Sequence, residues 1–227
     1  YGGEKQLEFG SLIGYCSDGT VKNCTSEATV TVSQCNAVAN KVPLYIGGLI
    51  GRNRAAAISN CTSSATIVSD ATYITDATAK TSLYIGGFTG YCSNSDGMLE
   101  NCTNPGNISV ASTARYIYVG GICARCSAGT ITGCTNSGTI EATMSRATGD
   151  PCMFLRLGGL FSIIDTDEES SLTVSGSSNS GAITSRSNVK QLYAGGIAGQ
   201  VNASNATLMD NTNSGNITTT KKLRYLY

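Results

Sequence analysis

The chain repeats one pattern six times. Pairs of adjacent glycines recur at spacings of 37, 39, 34, 38 and 37 residues, counted from a degenerate Gly-Ser pair at the start. The first residues of these pairs are Gly10, Gly47, Gly86, Gly120, Gly158 and Gly195. Self-similarity at such a period is typical of repeat proteins, in which each unit packs on its neighbours. We therefore interpret residues 1–227 as one repeat domain, with copies that begin near residues 7, 44, 83, 117, 155 and 192.

Each copy predicts β-strands. In the second copy, Leu44 and Ile46 precede the glycines with a period of two, which indicates a strand. The next apolar residue, Leu49, follows after three positions, so a bulge or sharp bend at Gly-Gly has to absorb the slip. Two further positions are apolar in every copy and predict a second and a third strand; in the second copy they are Ile58 and Ile67. Turn-forming residues separate the predicted strands.

The predicted fold is all-β: a parallel β-helix, or β-solenoid, of about six three-stranded coils. Stacking would place each apolar column about 4.8 Å above its equivalent, which gives a core roughly 29 Å long. The handedness of crossovers between parallel strands favours a right-handed coil. The alternative is a six-bladed β-propeller, but propeller blades normally have four strands and often a Trp signature, and this chain has no Trp.

The composition limits the kinds of binding partner and the cellular location that we expect for the protein. Lys plus Arg equals Asp plus Glu at 15 each, so we expect no nucleic-acid partner. No apolar run is long enough to span a bilayer, so we expect no direct membrane span. A charged share of only 13%, with polar positions rich in Gly, Ser, Thr and Asn, is common in secreted and cell-surface proteins. A start at Tyr1 suggests a processed protein or part of a larger surface polypeptide.

The repeated segment also resembles a known family. In the third copy, the GLUG repeat of bacterial surface proteins resembles three segments taken together: Gly87 to Cys92, Gly97 to Cys102 and Gly106 to Ile108. The copies that start at Gly48, Gly121 and Gly196 resemble it as well. The resemblance implies a large secreted or cell-surface bacterial polypeptide of the adhesin type. In such proteins the repeats serve as spacers or adhesive modules, so the resemblance implies an extracellular location on the bacterial outer surface and supplies no catalytic residue.

Two groups of residues invite a metal or catalytic interpretation. One column of the repeat contains Cys24, Cys61, Cys102 and Cys134. These residues could form disulfides, but we favour stacked, buried thiols that act as small apolar residues. A zinc site is disfavoured because the chain has no His, and we expect no cofactor. Asp165, Asp167, Glu168 and Glu169 could hold Ca²⁺ or serve a polysaccharide-cleaving β-helix enzyme, although a solvated acidic loop is the simpler interpretation.

The candidate binding surface is a column of equivalent residues in the first strand of each copy. These residues lie between the two apolar positions of that strand, so the period of two predicts that they face solvent. The column contains Glu8, Tyr45, Tyr84, Tyr118, Arg156 and Tyr193. Exposed aromatic side chains with polar tips suit contacts to sugars or proteins, whereas a ladder that only stabilises the sheet is the alternative. We select Tyr45, Tyr84, Tyr118, Arg156 and Tyr193 as candidate ligand-binding residues for a host or cell-surface glycan or protein.

These observations predict a non-catalytic repeat module of a secreted or surface-anchored bacterial protein. It would act in adhesion or ligand binding, or as a rigid spacer. The alternatives are a carbohydrate-active β-helix enzyme, which requires carboxylates that converge in a groove, and a self-assembling fibre subunit that docks through its open coil edges.

Overall fold

The computed structural model describes residues 6–33, 42–70, 82–144, 152–220 and 225–226. Within these residues every regular element is a β-strand, and every strand pairing is parallel. The strands form four sheets that run along the axis of the solenoid, and one coil of the chain visits each sheet in turn.

The first sheet precedes the Gly-Gly pairs. Its strands are Leu7–Gly10, Leu44–Gly47, Ser82–Gly86, Tyr116–Gly120, Cys152–Gly158, Val189–Gly195 and Tyr225–Leu226. The second sheet follows the glycines and comprises Ile13–Cys16, Thr20–Lys22, Ile50–Asn53, Ala57–Ser59, Thr89–Glu100, Cys123–Thr132, Phe161–Asp165, Leu172–Ser175, Ala198–Asn202 and Ala206–Met209.

The third sheet consists of two-residue strands: Thr25–Ser26, Thr62–Ser63, Thr103–Asn104, Thr135–Asn136, Ser178–Asn179 and Thr212–Asn213. The fourth sheet consists of Thr29–Ser33, Thr66–Asp70, Ile108–Ser112, Ile140–Met144, Ile183–Ser185 and Ile217–Thr219. Each of these two sheets has six layers, and hence about five turns from the first layer to the last.

The register confirms the stacked arrangement. In the fourth sheet the β-branched column pairs residue for residue through Val30, Ile67, Ile108, Ile140, Ile183 and Ile217. Equivalent residues of successive copies are therefore neighbours along one axis, as in a β-solenoid, and do not lie in separate blades around a channel. The prediction of a β-solenoid is confirmed, and the propeller alternative is wrong. The predicted right-handedness stays a prediction.

One detail of the predicted coil is wrong. Each coil contributes to four sheets, whereas the sequence pattern indicated three strands. The missed elements are the third-sheet strands, which are only two residues long and therefore too short to display a period of two. The predicted second strand shares its sheet with the segment directly after the glycines, and in two copies a single strand covers both, Thr89–Glu100 and Cys123–Thr132.

The Gly-Gly pair is a corner that separates two hydrophobic cores. Leu44 and Ile46, before the corner, pack in a first core together with Ile67 of the fourth sheet. Leu49, after the corner, packs in a second core together with Ile58 of the second sheet. The three-residue step in the sequence is thus a change from one core to the other at a sharp bend.

A ladder of asparagines in the third sheet, buried except for the last member, Asn213, faces this corner. The Asn104 side-chain amide donates to Asn136 Oδ1 at 2.7 Å, Asn136 donates to Asn179 at 2.7 Å, and Asn179 donates to Asn213 at 2.7 Å. Each Nδ2 also donates to the carbonyl two residues ahead, at 3.0–3.2 Å. A Cβ on the second glycine of the corner, such as Gly121, would overlap both the asparagine of its own coil and the glycine carbonyl of the next.

A second recurring position holds the backbone in the left-handed region. Its members are Asn23, Asn60, Asn101, Gly133, Gly176 and Asp210, with φ between 51° and 63°. Gly, Asn and Asp tolerate this conformation best. Asn23, Asn60 and Asn101 each begin an Asn-Cys-Thr triplet, which has the form of a glycosylation sequon. The turn between the second and third sheets requires such a residue, so the resemblance to a sequon has a structural origin.

The cysteine column that follows this turn combines burial with hydrogen bonding. The eight cysteines whose side chains are described, Cys24, Cys61, Cys102 and Cys134 among them, are free thiols. Cys61 Sγ accepts from the backbone N–H of Cys24 at 3.3 Å and donates to Ser59 O at 3.2 Å. Ser177 repeats this pattern in its own coil, with bonds to Cys134 N and Ser175 O. The interpretation of these thiols as purely apolar residues is therefore incomplete.

Candidate functional site at the outer corner

The predicted tyrosine column is in register but is not an exposed stripe. Glu8, Tyr45, Tyr84, Tyr118, Arg156 and Tyr193 pair in sequence across the first sheet. Tyr45 and Tyr84, however, are only 4% and 8% exposed. Tyr118, Arg156 and Tyr193 are partly exposed. The prediction of solvent exposure is wrong for the first two tyrosines and holds in part for the other three residues.

The bend at Gly-Gly explains this burial. It turns the second sheet so that its outward side chains lie beside those of the first sheet, in a concave corner on the outside of the solenoid. Small residues bring the two sheets close together: a Cβ on Gly90 would overlap the backbone of Ile46, and the equivalent Ala124 is fully buried against Tyr45 and Tyr84. The period of two indicated which way the tyrosines point but not what lies across the corner.

We call this group of side chains the outer corner cluster. It comprises Tyr45, Tyr84, Tyr118, Arg156 and Tyr193 from the first sheet, and Arg52, Tyr91 and Arg125 from the second. The second-sheet members were missed in the sequence, although a signal was present. Each of them stands five residues after the first glycine of its pair.

The rings of the outer corner cluster stack on one another along the solenoid axis. The Tyr45 and Tyr84 centroids are 5.0 Å apart, and those of Tyr84 and Tyr118 are 4.5 Å apart with an interplanar angle of 12°. Tyr91 adds a ring 5.3 Å from Tyr45. Stacked rings at these distances attract each other beyond simple area burial. Both faces of Tyr84 are thus in contact with neighbouring rings and cannot be stacked on by a sugar.

Three arginines flank the rings. The Arg52 guanidinium lies 5.2 Å from the Tyr91 centroid on one side, and that of Arg125 lies 5.2 Å from it on the other. Arg156 lies 4.9 Å from the Tyr118 centroid and 5.3 Å from that of Tyr193. Guanidinium groups over aromatic faces at such distances are attracted by the ring quadrupole. In the second sheet the cluster therefore alternates Arg52, Tyr91 and Arg125, whereas in the first sheet three stacked tyrosines precede Arg156.

The charges of the cluster are mostly compensated. Arg125 forms an ion pair with Asp165 at 2.9 Å, and Arg52 lies 3.5 Å from Glu8. Arg156 Nε instead donates to the neutral amide oxygen of Gln200. Burial, as the largest cause, raises the pKa values of Tyr45 and Tyr118 to about 12. Both phenols are consequently neutral at physiological pH.

The structure does not gather the predicted acidic group into a site. Asp165 points to Arg125 of the preceding coil, whereas Asp167 accepts from the backbone N–H of Ser170 at 2.7 Å. Hydrogen bonding from the Ser170 side chain, and secondarily from backbone N–H groups, lowers the pKa of the Asp167 carboxyl. Glu168 and Glu169 are exposed. Over the described part of the chain, no three His, Cys, Asp or Glu side chains are placed to hold a metal ion, and this includes the calcium candidates.

The part of the chain that the structure describes contains no helix with the length and apolarity needed to cross a membrane. The predictions that the module has a glycan or protein partner and an extracellular location stay predictions.

Comparison with known proteins gives one match. The GLUG motif is found at residues 43–68. Searches of curated proteins and of solved structures found no match. The matched residues cover most of the second copy: the first-sheet strand Leu44–Gly47, the corner, the left-handed Asn60 and the start of the fourth-sheet strand Thr66–Asp70. The resemblance to the GLUG motif is confirmed at residues 43–68, and the other copies repeat the same unit in register.

Proposed function

We propose that the chain is a non-catalytic repeat module that acts as a rigid spacer in a secreted or cell-surface protein. The observation that carries the proposal is the parallel register that all four sheets keep from coil to coil, with one irregularity between Cys92 and Met98 in the second sheet. The GLUG motif and the weakly charged, Gly/Ser/Thr/Asn-rich composition support the location.

Three further interactions support rigidity along the same axis. The asparagine ladder, the stacked rings of the outer corner cluster and the cysteine column each connect one coil to the next. Bending or extending the rod between two coils would break backbone bonds in four sheets together with these side-chain contacts. A spacer of this kind has a length set by the number of its coils, at about 4.8 Å per coil.

Duplication of one coil tests the proposal. Donor and acceptor fluorescent domains would be fused to the two ends, and residues 83–116, one complete copy, would be inserted a second and a third time. We expect the mean distance between the fluorophores to rise by about 4.8 Å per added coil, without broadening of its distribution. A Gly/Ser linker of equal length is the control, and its distance should grow with the square root of its length. The same square-root growth in the coil series would contradict the spacer.

A second candidate function is ligand contact at the partly exposed end of the outer corner cluster. Tyr118, Arg156 and Tyr193 keep some surface in solvent, and Arg156 pairs with an amide instead of a carboxylate. A cation between two rings suits a glycan that carries a carboxylate, or an acidic loop of a protein.

Glycan-array binding tests this second candidate with the unmodified chain and the double variant Arg156→Gln/Tyr193→Ser. Lys190→Gln on the same strand is the matched control for the lost charge. We expect the double variant to lose binding to acidic glycans and the control to keep it. Absence of binding by the unmodified chain, or equal binding by all three proteins, would remove the site.

A further inference from the structure

Six of the described cysteines can be grouped into three pairs that join neighbouring copies. The pairs are Cys24 with Cys61, Cys92 with Cys126, and Cys102 with Cys134. The second pair is a direct partnership in the second sheet, and each of the other two directly precedes third-sheet residues that are partners in register. Strand spacing therefore places the Cα atoms of each pair about 4.8 Å apart, inside the range of about 4.4–6.8 Å that a disulfide spans.

The side chains of the third-sheet pairs also interact with each other. The backbone N–H of Cys24 donates to Cys61 Sγ at 3.3 Å, and the two thiols are hydrogen-bonded. A hydrogen bond from the Cys134 thiol lowers the pKa of the Cys102 thiol, which favours the thiolate that attacks a disulfide. The sulfur atoms of each pair are thus already neighbours.

The second-sheet pair has a third thiol beside it. Cys126 is hydrogen-bonded both to Cys92 on the neighbouring strand and to Cys123 on its own strand. The Cys123 thiol also donates to Arg125 O at 2.8 Å. Cys92 is the in-register partner, so it has the position for a bridge to Cys126, and Cys123 keeps its backbone acceptor.

The column of four cysteines allows one complete pairing between neighbours. Each sulfur can form one bridge only. A bridge between Cys61 and Cys102 would therefore leave Cys24 and Cys134 without a partner in the column. The pairing of the first copy with the second, and of the third with the fourth, uses all four sulfur atoms.

We propose that the three pairs close as disulfides between neighbouring coils when the chain folds in the presence of a small disulfide oxidant. One cysteine thiolate attacks the oxidant and releases the first of its two thiols. The second cysteine thiolate then attacks the mixed disulfide, forms the S–S bond and releases the other thiol. The two cysteines are oxidised, the oxidant is reduced, and the two cysteine protons pass to the released thiols.

The location in the proposed function would supply the oxidant, and in that respect the inference rests on it. Five of the six cysteines are buried and Cys24 is half-buried, so the exchange takes place while the coils fold together. One bridge then joins the first copy to the second, and two bridges join the third copy to the fourth. Coils joined in this way cannot separate unless a covalent bond breaks.

Refolding from urea in a glutathione redox buffer tests the pairing. The remaining thiols are alkylated, and mass spectrometry of proteolytic fragments identifies the bridged cysteines. We expect the three pairs named above. Cys16 is the internal control: its in-register partner is Asn53, which offers no thiol, so Cys16 should be alkylated. The bridged chain should unfold at a temperature at least about 5 °C above that of the reduced chain.

Cys134→Ser is the matched variant. Ser177 occupies the equivalent position in the next copy, and its hydroxyl makes the same kinds of hydrogen bond, so serine fits this column. In this variant Cys102 should be alkylated, and oxidation should raise the unfolding temperature less than in the unmodified chain. Cys16→Ser is the control and should keep the full rise. Circular dichroism verifies that each variant is folded.

Three results would overturn the proposal. The first is alkylation of all six cysteines after refolding with oxidised glutathione. The second is a different set of bridges, such as Cys61 with Cys102 or Cys123 with Cys126. The third is a bridged chain that lacks the β-sheet spectrum of the reduced chain, which would show that the bridges do not fit the stacked coils. None of these results bears on the spacer, because the buffer supplies the oxidant and the stacking requires no bridge.

Discussion

At the scale of single residues, the left-handed column shows how backbone conformation selects the side chain. Asn60 and Asn101 have φ of 52° and 51°, values at which a Cβ is unfavourable unless the side chain is that of Asn or Asp. In the fourth and fifth copies the same turn uses Gly133 and Gly176. The sequence shows that only Asn, Gly and Asp occupy this position, and the backbone angles explain why.

This explanation predicts the effect of substitutions at Asn60. Replacement by Ala should lower the free energy of unfolding by about 1 kcal/mol, because Ala tolerates the left-handed region poorly. Replacement by Gly should change it by less than about 0.5 kcal/mol, because Gly adopts this conformation freely. Urea unfolding followed by circular dichroism measures both, with Ser59→Ala in the adjacent strand as the control. Equal losses for Ala and Gly would show that the Asn side chain, and not the backbone angle, matters here.

Buried phenols predict a loss of stability at high pH. The pKa values of Tyr45 and Tyr118 are raised to about 12 in the folded chain, above the ordinary value of 10.0. Their contribution to stability is therefore complete below pH 10 and is lost as the pH rises towards 12, because the unfolded chain releases the phenolic protons first. Urea midpoints across this interval, compared between the unmodified chain and Tyr45→Phe/Tyr118→Phe, should show a steeper decline for the unmodified chain. Parallel declines would contradict buried, neutral phenols.

At the scale of elements, the asparagine ladder predicts that one change can stabilise the fold. Asn104 Oδ1 is buried and has no hydrogen-bond partner, because the preceding layer carries Ser63 where the next three layers carry Asn. The Ser63 hydroxyl donates to Gly87 O at 2.7 Å instead. Ser63→Asn would place an amide donor beneath Asn104 and extend the ladder by one layer.

We expect Ser63→Asn to raise the free energy of unfolding by about 1 kcal/mol, the usual net value of one added hydrogen bond. A double-mutant cycle provides the control: in an Asn104→Ser background the gain should vanish, because the acceptor is gone. A gain of the same size in both backgrounds would show that the ladder is not its source.

The reverse change tests how much the ladder matters. Asn136→Leu removes the acceptor of one Asn104 amide N–H and the donor to both Asn179 Oδ1 and Gly138 O, and so takes one hydrogen-bond partner from each of three buried groups. The expected loss is about 3 kcal/mol, since each unsatisfied group costs about 1–3 kcal/mol. Thr135→Leu, on the same two-residue strand but partly exposed, is the matched control and should cost much less. Comparable losses in thermal unfolding for the two variants would contradict the importance of the ladder.

The elements also show which parts of the fold the sequence could reveal. The period of two within one strand, as in Leu44 and Ile46, predicted the strand positions because alternate residues of a strand face the core. Equivalent apolar residues in successive copies, such as Ile67 and Ile108, predicted how the strands stack. The two-residue strands that carry the asparagine ladder are too short to show a period of two. Their residues Asn104 and Asn136 are of a type common in turns, so the sequence did not reveal these strands. The burial of Tyr45 depends on the angle between two sheets, which one strand's pattern does not contain.

At the scale of the whole molecule, equivalent residues of successive copies lie directly above one another. The spacer and the outer corner cluster both depend on this stacking. The outward column of the fourth sheet allows it to be measured, because Thr31, Val68, Ser109, Glu141, Thr184 and Thr218 pair in register through five steps.

The most direct test is the distance between positions 31 and 218, measured by pulsed electron paramagnetic resonance. Spin labels would be attached through non-natural amino acids, because the chain's own cysteines exclude thiol labels. We expect a narrow distribution at about 24 Å for residues 31 and 218, and a distance about 5 Å shorter for residues 31 and 184. A broad distribution, or equal distances for the two pairs, would contradict the stacked solenoid.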